Sequence, residues 1–232
     1  MKGSMLGLVG VVLAMLIISG CATTEMALLK KVVPDLKSGG AVVVVTQNNL
    51  GIAVPASNPG NTGLLGALVV AGVDAARQAD AEKQAKPIIA ALQTYDFRAV
   101  LKKTLTTELQ NVTTFKFGTD LQQDTIASAV QRRIDFDNAE GDAVLFIYVE
   151  YRLESGNLIV EANAILYPKT DELKAYRVNP KASDPVGESS FIYKRTFSVS
   201  QQGITDKNVA EKLDGAAQSI AKQLVADLNH PQ

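Results

Sequence analysis

The pattern of apolar and polar residues along the chain predicts several strands and one clear hairpin. Residues 143–153 and 158–167 each carry apolar side chains at alternate positions, and the turn formers Ser-Gly-Asn separate them. Alternation with a period of two is typical of strands with a buried face, so this pair is expected to form an antiparallel hairpin. The continuous β-branched run at 41–46 predicts a buried central strand, and 191–200 alternates again as a further strand.

Helices are predicted where apolar residues recur three and four positions apart. Residues 209–228 follow this spacing throughout, and Thr205 or Asp206 is expected to cap the helix. Pro87 is expected to open another helix, because proline is favoured at the first helical position. The apolar stripe of that helix extends to about Asn111.

The segments between these elements are less regular. A short strand is predicted at 115–117, and a helix that Thr119 or Asp120 caps is predicted to run to Arg133. The charged, proline-containing segment 169–188 is expected to be a surface loop. The order of strand, helices, hairpin, strand and helix favours an α+β fold, with a mainly antiparallel sheet and helices packed on one face.

A predicted helix at 63–84 is distinguished by its small residues. Gly63, Ala67, Ala71 and Ala75 lie four positions apart, which on a helix makes a smooth ridge that another backbone can approach closely. The functional interpretation is contact with a partner subunit or a membrane surface. The alternative is a helix buried inside the domain, or an alanine-rich helix favoured by propensity alone. Its apolar run is too short to span a bilayer, which needs about 20 residues.

The N-terminus has the pattern of a secretory signal. Lys2 precedes an apolar stretch at 5–18, which is shorter than a membrane-spanning helix of about 20 residues. The stretch ends in Ile18-Ser19-Gly20-Cys21, which resembles the lipobox of bacterial lipoproteins. The alternative is a transmembrane anchor that happens to end in a cysteine, and the short apolar length and the small residues before Cys21 oppose it.

The resemblance to a lipobox implies a specific maturation. It implies cleavage between Gly20 and Cys21, a diacylglyceryl group on the Cys21 thiol, and acylation of the new amino group, for example by palmitate. Two or three acyl chains anchor a protein durably, because each buried methylene contributes about 0.8 kcal/mol. Ala22 stands where aspartate resembles an inner-membrane retention signal, which implies an outer-membrane location at the periplasmic face.

These features divide the chain into three parts. Residues 1–20 are expected to be a signal peptide, 21–40 a lipidated tether, and 41–232 a single α+β periplasmic domain. Pro34 and the Gly39-Gly40 pair argue against a regular element in the tether.

Composition and charge exclude several classes of function. The 232 residues carry a formal net charge of −1, so a basic face for nucleic acid is not expected. The single cysteine lies in the lipobox, which leaves neither a disulfide nor a thiol nucleophile. The single histidine, His230, lies in a tail that is expected to be mobile, which opposes a catalytic triad and a zinc site. No phosphate loop or dinucleotide fingerprint is present, so we expect no cofactor, no metal and no enzymatic activity.

Carboxylates supply the remaining candidate sites. One group is close together in sequence: Asp135, Asp137, Glu140 and Asp142. Calcium binds such oxygen-rich loops, but the glycine and the terminal glutamate of a calcium loop are missing, so a solvated turn is expected. Glu150 and Glu161 are expected to face each other across the hairpin. Arg152 and Arg195 lie on neighbouring strands, which predicts ordinary charge pairing there.

A broader resemblance rests on the segment GDAVLFIYVEYRL, the hairpin and the C-terminal amphipathic helix. Together they resemble a loose group of outer-membrane lipoproteins with a periplasmic α+β domain, such as the curli-secretion lipoprotein group. The resemblance covers about the last two-thirds of the chain and has no diagnostic motif, so no functional residue is carried over. It implies a structural, assembly or secretion-accessory role for a lipid-anchored protein, with an envelope protein or a homo-oligomer as partner.

Two alternative functions remain open. The first is a periplasmic module that binds a small apolar or glycan ligand between the sheet and the helices. The second is a carboxylate-dependent hydrolase acting on cell-wall material, which ranks last because it needs two acids that converge in a cleft.

Overall fold

The computed structural model describes residues 25–54 and 63–232, and it describes side chains within the first helix from residue 75 onward. The predicted signal peptide and the lipobox with Gly20 and Cys21 lie outside the described residues. In chain order the elements are β1 (Ser38–Val44), β2 (Gly51–Ala53), α1 (Gly63–Ala91), α2 (Phe97–Leu109), β3 (Lys116–Phe117), β4 (Gln122–Asp124), α3 (Ala129–Asn138), β5 (Ala143–Glu154), β6 (Asn157–Pro168), α4 (Asp171–Lys174), β7 (Tyr193–Gln201) and α5 (Val209–Asn229).

The strands form a mixed sheet, so the prediction of a mainly antiparallel sheet is wrong. The strand order is β3-β1-β5-β6-β7, with β4 beside β1 and β2 beside β5. β1 pairs in parallel with β3, β4 and β5, and β2 pairs in parallel with β5. Among the strands of the described residues, the β5–β6 and β6–β7 pairs are antiparallel. Parallel neighbours need a long crossover connection, and the segment containing α1, α2 and α3 provides it between β1 and β5.

The predicted hairpin is confirmed along its whole length. β5 and β6 pair from Ala143 opposite Pro168 to Glu154 opposite Asn157. The turn consists of Ser155 and Gly156, whose φ angles are 51° and 80°. Positive φ at both positions is the conformation of a tight hairpin turn whose twist matches that of the strands, and glycine adopts it without strain.

Helices α2 and α5 pack on one face of the sheet and enclose the main core. The predicted apolar stripe of α5 is buried at every position: Val209, Leu213, Ala216, Ala217, Ile220, Leu224 and Leu228. Leu101, Leu105 and Leu109 supply the facing stripe of α2. From the sheet, Leu145 and Ile147 of β5 enter the same core.

The opposite face of the sheet is also covered, so the prediction that helices pack on one face only is wrong. Phe136 of α3 and Ala139 just after it pack against Val42, Val144 and Phe146 in a second, smaller core. The reason is visible in the strands themselves. β1 and the first half of β5 are apolar on both sides, and such strands must be covered on both faces.

Pro87 does not begin a helix but lies within α1. The helix continues through it because Ala85 is buried and Ile88 and Ile89 pack against the main core. A separate helix, α2, begins after Asp96, whose carboxylate accepts a hydrogen bond from the backbone N–H of Ala99 at 3.1 Å. The predicted single helix from 87 to 111 is therefore two helices.

The predicted helix from 119 to 133 is wrong in its first half. Gln122–Asp124 forms the strand β4 and pairs with β1. The helix begins only after Ser128, whose hydroxyl accepts a hydrogen bond from the N–H of Gln131 at 3.0 Å. Val130 of this helix is 72% exposed, so the apolar residues that suggested a buried stripe here face solvent.

The segment 25–40 is part of the folded domain, which corrects the boundary predicted for the tether. Leu28, Val32 and Leu36 are buried in the main core. The C-terminus lies beside this segment, since the N–H of Gln232 donates to the carbonyl of Leu28 and the N–H of Lys30 donates to the carbonyl of Gln232, both at 2.8 Å. The expected mobile tail around His230 is therefore held against the domain.

The segment 169–188 is more than a surface loop. It contains the short helix α4, and Leu173, Arg177 and Val186 are buried. The Arg177 guanidinium donates to the carbonyls of Pro168 and Ala182, which ties the segment to the end of β6.

Candidate functional site in the cleft beside α1

A cleft of about 530 Å³ lies between α1, β2 and the β5–β6 turn. Its lining residues are Ile52, Ala53, Val54, Arg77, Asp80, Ala81, Gln84, Ala85, Ile88, Leu153, Ser155, Gly156 and Ile204. The volume falls in the range of small-molecule sites, which are mostly apolar with a few polar groups.

The helical repeat of α1 explains one wall of the cleft. Arg77, Ala81, Gln84 and Ile88 recur three and four positions apart, so they share one side of the helix. The opposite wall is β2, which is held in place by parallel pairing of Gly51–Ala53 with the last residues of β5.

The cleft combines an apolar floor with a polar rim. Ile52, Leu153 and Ile204 provide aliphatic surface, while Arg77 and Asp80 bring opposite charges to the side formed by α1. Among its lining residues no histidine, cysteine or tyrosine is present, and Ser155 carries the only side-chain hydroxyl. This set of groups suits binding of an amphipathic molecule.

The predicted ridge lies on the same helix as this wall. Gly63, Ala67, Ala71 and Ala75 all fall within α1, but the side chains of the first three lie outside the described residues. Ala75 is exposed, and so is Ala79, which continues the same spacing. Ala75 and Arg77 are two positions apart, which corresponds to about 200° of helix rotation. The described end of the ridge therefore points away from the cleft.

The start of the described chain is clamped to β7. The Arg195 guanidinium pairs with the Glu25 carboxylate at 3.0 Å and approaches that of Asp227 at 3.6 Å. The backbone N–H of Thr196 donates to the Glu25 carboxylate at 3.1 Å. Met26 and Lys194 exchange two backbone hydrogen bonds of 2.8 Å. The chain therefore enters the domain at the edge of the sheet, four positions after Cys21.

A cluster of tyrosines and an arginine was not predicted from the sequence. The Arg132 guanidinium lies 5.4 Å from the centre of the Tyr148 ring and donates to the Val186 carbonyl at 3.2 Å. Burial raises the pKa of Tyr167 to about 12, although the nearby Arg132 opposes that rise. Nothing in the local sequence marks these residues, because α3 brings Arg132 over the sheet only in the folded chain.

The candidate carboxylate sites are used for structure. Asp142 accepts hydrogen bonds from the backbone N–H groups of Lys37 and Ser38 at 3.0 and 2.9 Å, which fixes the start of β1. Asp137 pairs with Arg133, and Asp135 accepts from Gln131. Within the part of the chain that the structure describes, no three His, Cys, Asp or Glu side chains converge as metal ligands.

Arg152 pairs with two carboxylates of the hairpin, as the strand pattern indicates, whereas Arg195 pairs with Glu25 and Asp227. Glu150 and Glu161 are directly opposite each other. Arg152 donates to Glu161, and it also donates to Glu154 at 3.0 Å. Glu161 is therefore neutralised by an ion pair, which opposes its use with Glu150 as a pair of catalytic acids.

Within the described residues, no helix combines the length and the apolar character needed to cross a bilayer.

Comparison with known proteins gives no family for this chain. No protein-family model matches the sequence, and no curated protein matches it either. Solved structures that overlap with it include a PelC dodecamer from Paraburkholderia phytofirmans, at 13% identity and a TM-score of 0.33 over 85% of this chain and 92% of that one. A DUF330 protein from Xanthomonas campestris overlaps at 13% identity and a TM-score of 0.31, over 81% and 82% of the two chains. An uncharacterized protein overlaps at 10% identity and a TM-score of 0.38, over 88% and 96%. Likenesses this low carry no argument about function.

Proposed function

We propose that this protein is a lipid-anchored lipoprotein of a bacterial cell envelope, with a non-enzymatic role in assembly or secretion, and that α1 is its contact element. The observation that carries the proposal is the exposure of α1. The helix has 29 residues, about 43 Å in length, yet Ala85 is the only fully buried side chain among its described positions from 75 to 91. Because most of the side chains from 75 to 91 are exposed or only partly buried, this described part of α1 can gain stability by packing against a partner surface.

The sequence of α1 supports the same proposal. Its first part is the apolar run LLGALVVAGV, and the small residues Gly63, Ala67, Ala71 and Ala75 run along it. Small residues at this spacing allow close approach of a second backbone, as in packed helix pairs. We therefore assign the partner contact to these four positions.

The anchoring part of the proposal rests on the lipobox resemblance at Cys21 and on the clamp at Glu25. A chain of four residues reaches about 14 Å at most, so acyl chains on Cys21 would hold the β7 edge close to a membrane. Ala22 favours the outer membrane and its periplasmic face.

The part of the non-enzymatic proposal that the described residues support concerns the hairpin and the histidine. Within the hairpin, Arg152 pairs with Glu154 and Glu161, and the sole histidine is exposed at the end of α5. Binding and positioning remain as the functions that these surfaces can perform.

The α1 contact is tested by changing Ala71→Leu and Ala75→Leu together in the full chain. The expected result, by crosslinking in native membranes, is loss of the crosslinked species seen for the unchanged protein. Two leucines on the ridge would prevent the close approach of a partner backbone. Ala76→Leu is the matched control, since it adds the same side chain at the next exposed position, about 100° around the helix. Unchanged crosslinking in the double variant would contradict the proposed contact.

The anchor is tested by Cys21→Ser. The expected result is an uncut, unlipidated precursor, seen as a larger band that does not incorporate labelled palmitate. Normal maturation of this variant would refute lipid anchoring and leave the α1 contact untouched.

The cleft favours a second candidate function, which is binding of a small amphipathic ligand. Ala81→Phe places a ring in the cleft, whereas Ala79→Phe places the same ring on the exposed side of α1. An apolar fluorescent probe such as N-phenyl-1-naphthylamine is expected to bind the unchanged protein and the Ala79 variant but not the Ala81 variant. Equal probe signal in all three would rule out the cleft as the binding site.

A further inference from the structure

The outer edge of β7 is only partly paired. β7 is the last strand in the order of the sheet, and β6 pairs with its inner edge from Tyr193 to Gln201. On the outer edge, Met26 bonds to Lys194 and the Glu25 carboxylate accepts from Thr196. Beyond Thr196, no strand among the described residues lies against this edge.

Strand alternation identifies the backbone groups on this edge that no described residue pairs with. Lys194 directs both its N–H and its carbonyl outward to Met26, and the N–H of Thr196 also points outward to Glu25. Successive even positions share this direction, so Ser198 and Ser200 direct their N–H and carbonyl groups to the same open edge. Both residues are exposed.

The sequence at this edge lacks the features that prevent strand pairing. Residues 196–203 read TFSVSQQG and contain no charged residue and no proline. Monomeric proteins commonly protect an exposed edge with lysine, proline or a bulge. This edge is therefore suited to accept another strand.

We propose that a second copy of this chain pairs with the edge, through an antiparallel β7–β7 contact whose two-fold axis passes through Val199. This register places Ser198 of one copy opposite Ser200 of the other. The N–H and carbonyl groups of Ser198 and Ser200 then all have partners in the other copy. Each of the two Ser198–Ser200 pairs exchanges two backbone hydrogen bonds, so four cross the interface. Thr196 remains free to keep its hydrogen bond to Glu25.

The side chains match under the same symmetry. Val199 faces its own copy in a narrow pair without hydrogen bonds, where β-branched residues contact each other closely. Phe197 lies opposite Gln201, and no like charges meet. A two-fold interface requires a patch that is complementary to itself, and this register meets that requirement with a copy of the chain. The contact is short, so it is expected to be weak in dilute solution and strengthened where copies are concentrated, as on a membrane.

The geometry predicts which cysteine substitution forms a disulfide. Val199→Cys places two thiols in a narrow pair with Cα atoms about 4.5 Å apart, within the range of disulfides. Thr196→Cys is the matched control on the same strand. Thr196 lies three positions from the two-fold axis at Val199, so the two copies of this residue are six positions, or about 20 Å, apart along the paired strands. Disulfide formation is induced by oxidising membranes of cells that express the full chain. The unchanged protein shows how much disulfide forms through its own cysteine, Cys21.

The expected result is a disulfide-linked dimer with Val199→Cys at several times the level found with Thr196→Cys or the unchanged chain. Equal levels would overturn the proposal, and so would a crosslink to a protein of another mass. These outcomes are independent of the α1 contact, because β7 and α1 are tested by different variants.

A second measurement keeps the proposal testable if cysteine disturbs the strand. Ser200→Pro removes an outward N–H without removing a bond to β6, and Ser200→Ala keeps that N–H. Light scattering at high protein concentration is expected to show dimer for the alanine variant and monomer for the proline variant. Ser200→Lys should also give monomer, since it brings two positive charges to the interface. Dimer in all three variants would exclude this edge.

Discussion

At the scale of single residues, the start of β1 depends on the absence of a side chain at Gly40. A Cβ atom there would lie 2.6 Å from the carbonyl oxygen of Glu140 and 3.1 Å from the Cβ of Ala139. The neighbouring backbone of β1 is fixed by Asp142, which accepts hydrogen bonds from Lys37 and Ser38. The strand and the segment before β5 therefore approach too closely for any other residue.

The first prediction concerns this close approach. Gly40→Ala should lower the free energy of unfolding by about 1–3 kcal/mol, because a backbone carbonyl cannot move away as a flexible side chain can. Gly118→Ala is the control, since a Cβ there meets nothing within 4 Å. The control should change stability by no more than about 0.5 kcal/mol. Urea unfolding followed by circular dichroism measures both, and equal effects would contradict the steric argument.

Tyrosine is the second residue type for which the fold decides the chemistry. The chain has 6 tyrosines, and each has a raised pKa. Burial is the main cause for Tyr95, Tyr148, Tyr151, Tyr167 and Tyr193. For Tyr176 the main cause is its hydrogen bond to Asp35.

The second prediction follows from these raised pKa values. The folded state keeps the phenolic protons, whereas the unfolded chain releases them above its ordinary pKa of about 10, so stability should fall as pH rises above 10. Tyr167, with a pKa of about 12, should contribute a loss of about 1.4 kcal/mol per pH unit between pH 10 and 12. Absorbance at the phenolate band should show little ionisation of the native protein at pH 10. The denaturant-unfolded chain is the control and should be about half ionised there; matching titration curves would count against the burial of these side chains.

At the scale of elements, the described part of α1, from residue 75 onward, packs against the domain near the C-terminal end of the helix. Ala85 is buried, Ile88 and Ile89 pack against the main core, and the exposed alanines Ala75 and Ala79 face away. The helix thus joins the domain at its C-terminal end while its other end supplies the proposed contact surface. Local opening of such an element requires less free energy than global unfolding.

The third prediction separates docking of α1 from stability of the domain. Ala85→Leu adds three carbon atoms at the buried contact and should raise the rate of amide hydrogen exchange in residues 75–91. Exchange in α5 should change far less, because α5 packs mainly against α2, β6 and β7. Ala79→Leu adds the same atoms on the exposed side and should leave α1 exchange unchanged. Equal protection in the two variants would show that Ala85 does not hold the helix.

At the scale of the whole molecule, both ends of the described chain meet at one edge of the sheet. Glu25 and Met26 lie along β7, and residues 28–30 bond to Gln232. Arg195 connects this edge to α5 through Asp227. A pull on the N-terminus would therefore act on β7 and α5 together.

The fourth prediction tests this connection. Arg195→Ala leaves Glu25 and the largely buried Asp227 carboxylate without a guanidinium, and should lower the free energy of unfolding by about 1.5–3 kcal/mol. Arg133→Ala removes an exposed pair with Asp137 and should lower it by no more than about 0.5 kcal/mol. Proteolysis near Glu25 should also become faster in the Arg195 variant only. Equal losses in both variants would mean that the clamp contributes nothing beyond a surface ion pair.

Local sequence determined the elements whose side chains repeat with a clear period. The hairpin of β5 and β6, the strand β7 and the buried stripe of α5 follow directly from alternation and helical spacing, because both depend on residues near in sequence. The pairing of Arg152 with Glu161 across the hairpin follows from the same register. Cys21 and the ridge from Gly63 to Ala75 are also sequence features, and they carry the proposals on anchoring and contact.

Only the tertiary structure decided the neighbours of those elements. The parallel pairing of β1 with β5, the strand β4, the cover of the second face by α3 and the folding of residues 25–40 into the domain all depend on contacts between residues distant in sequence. The same is true of the Glu25 clamp, the cleft beside α1 and the open edge of β7. A periodic pattern indicates which side of an element is buried. It does not indicate which other element covers that side, because the burial of apolar surface is non-directional.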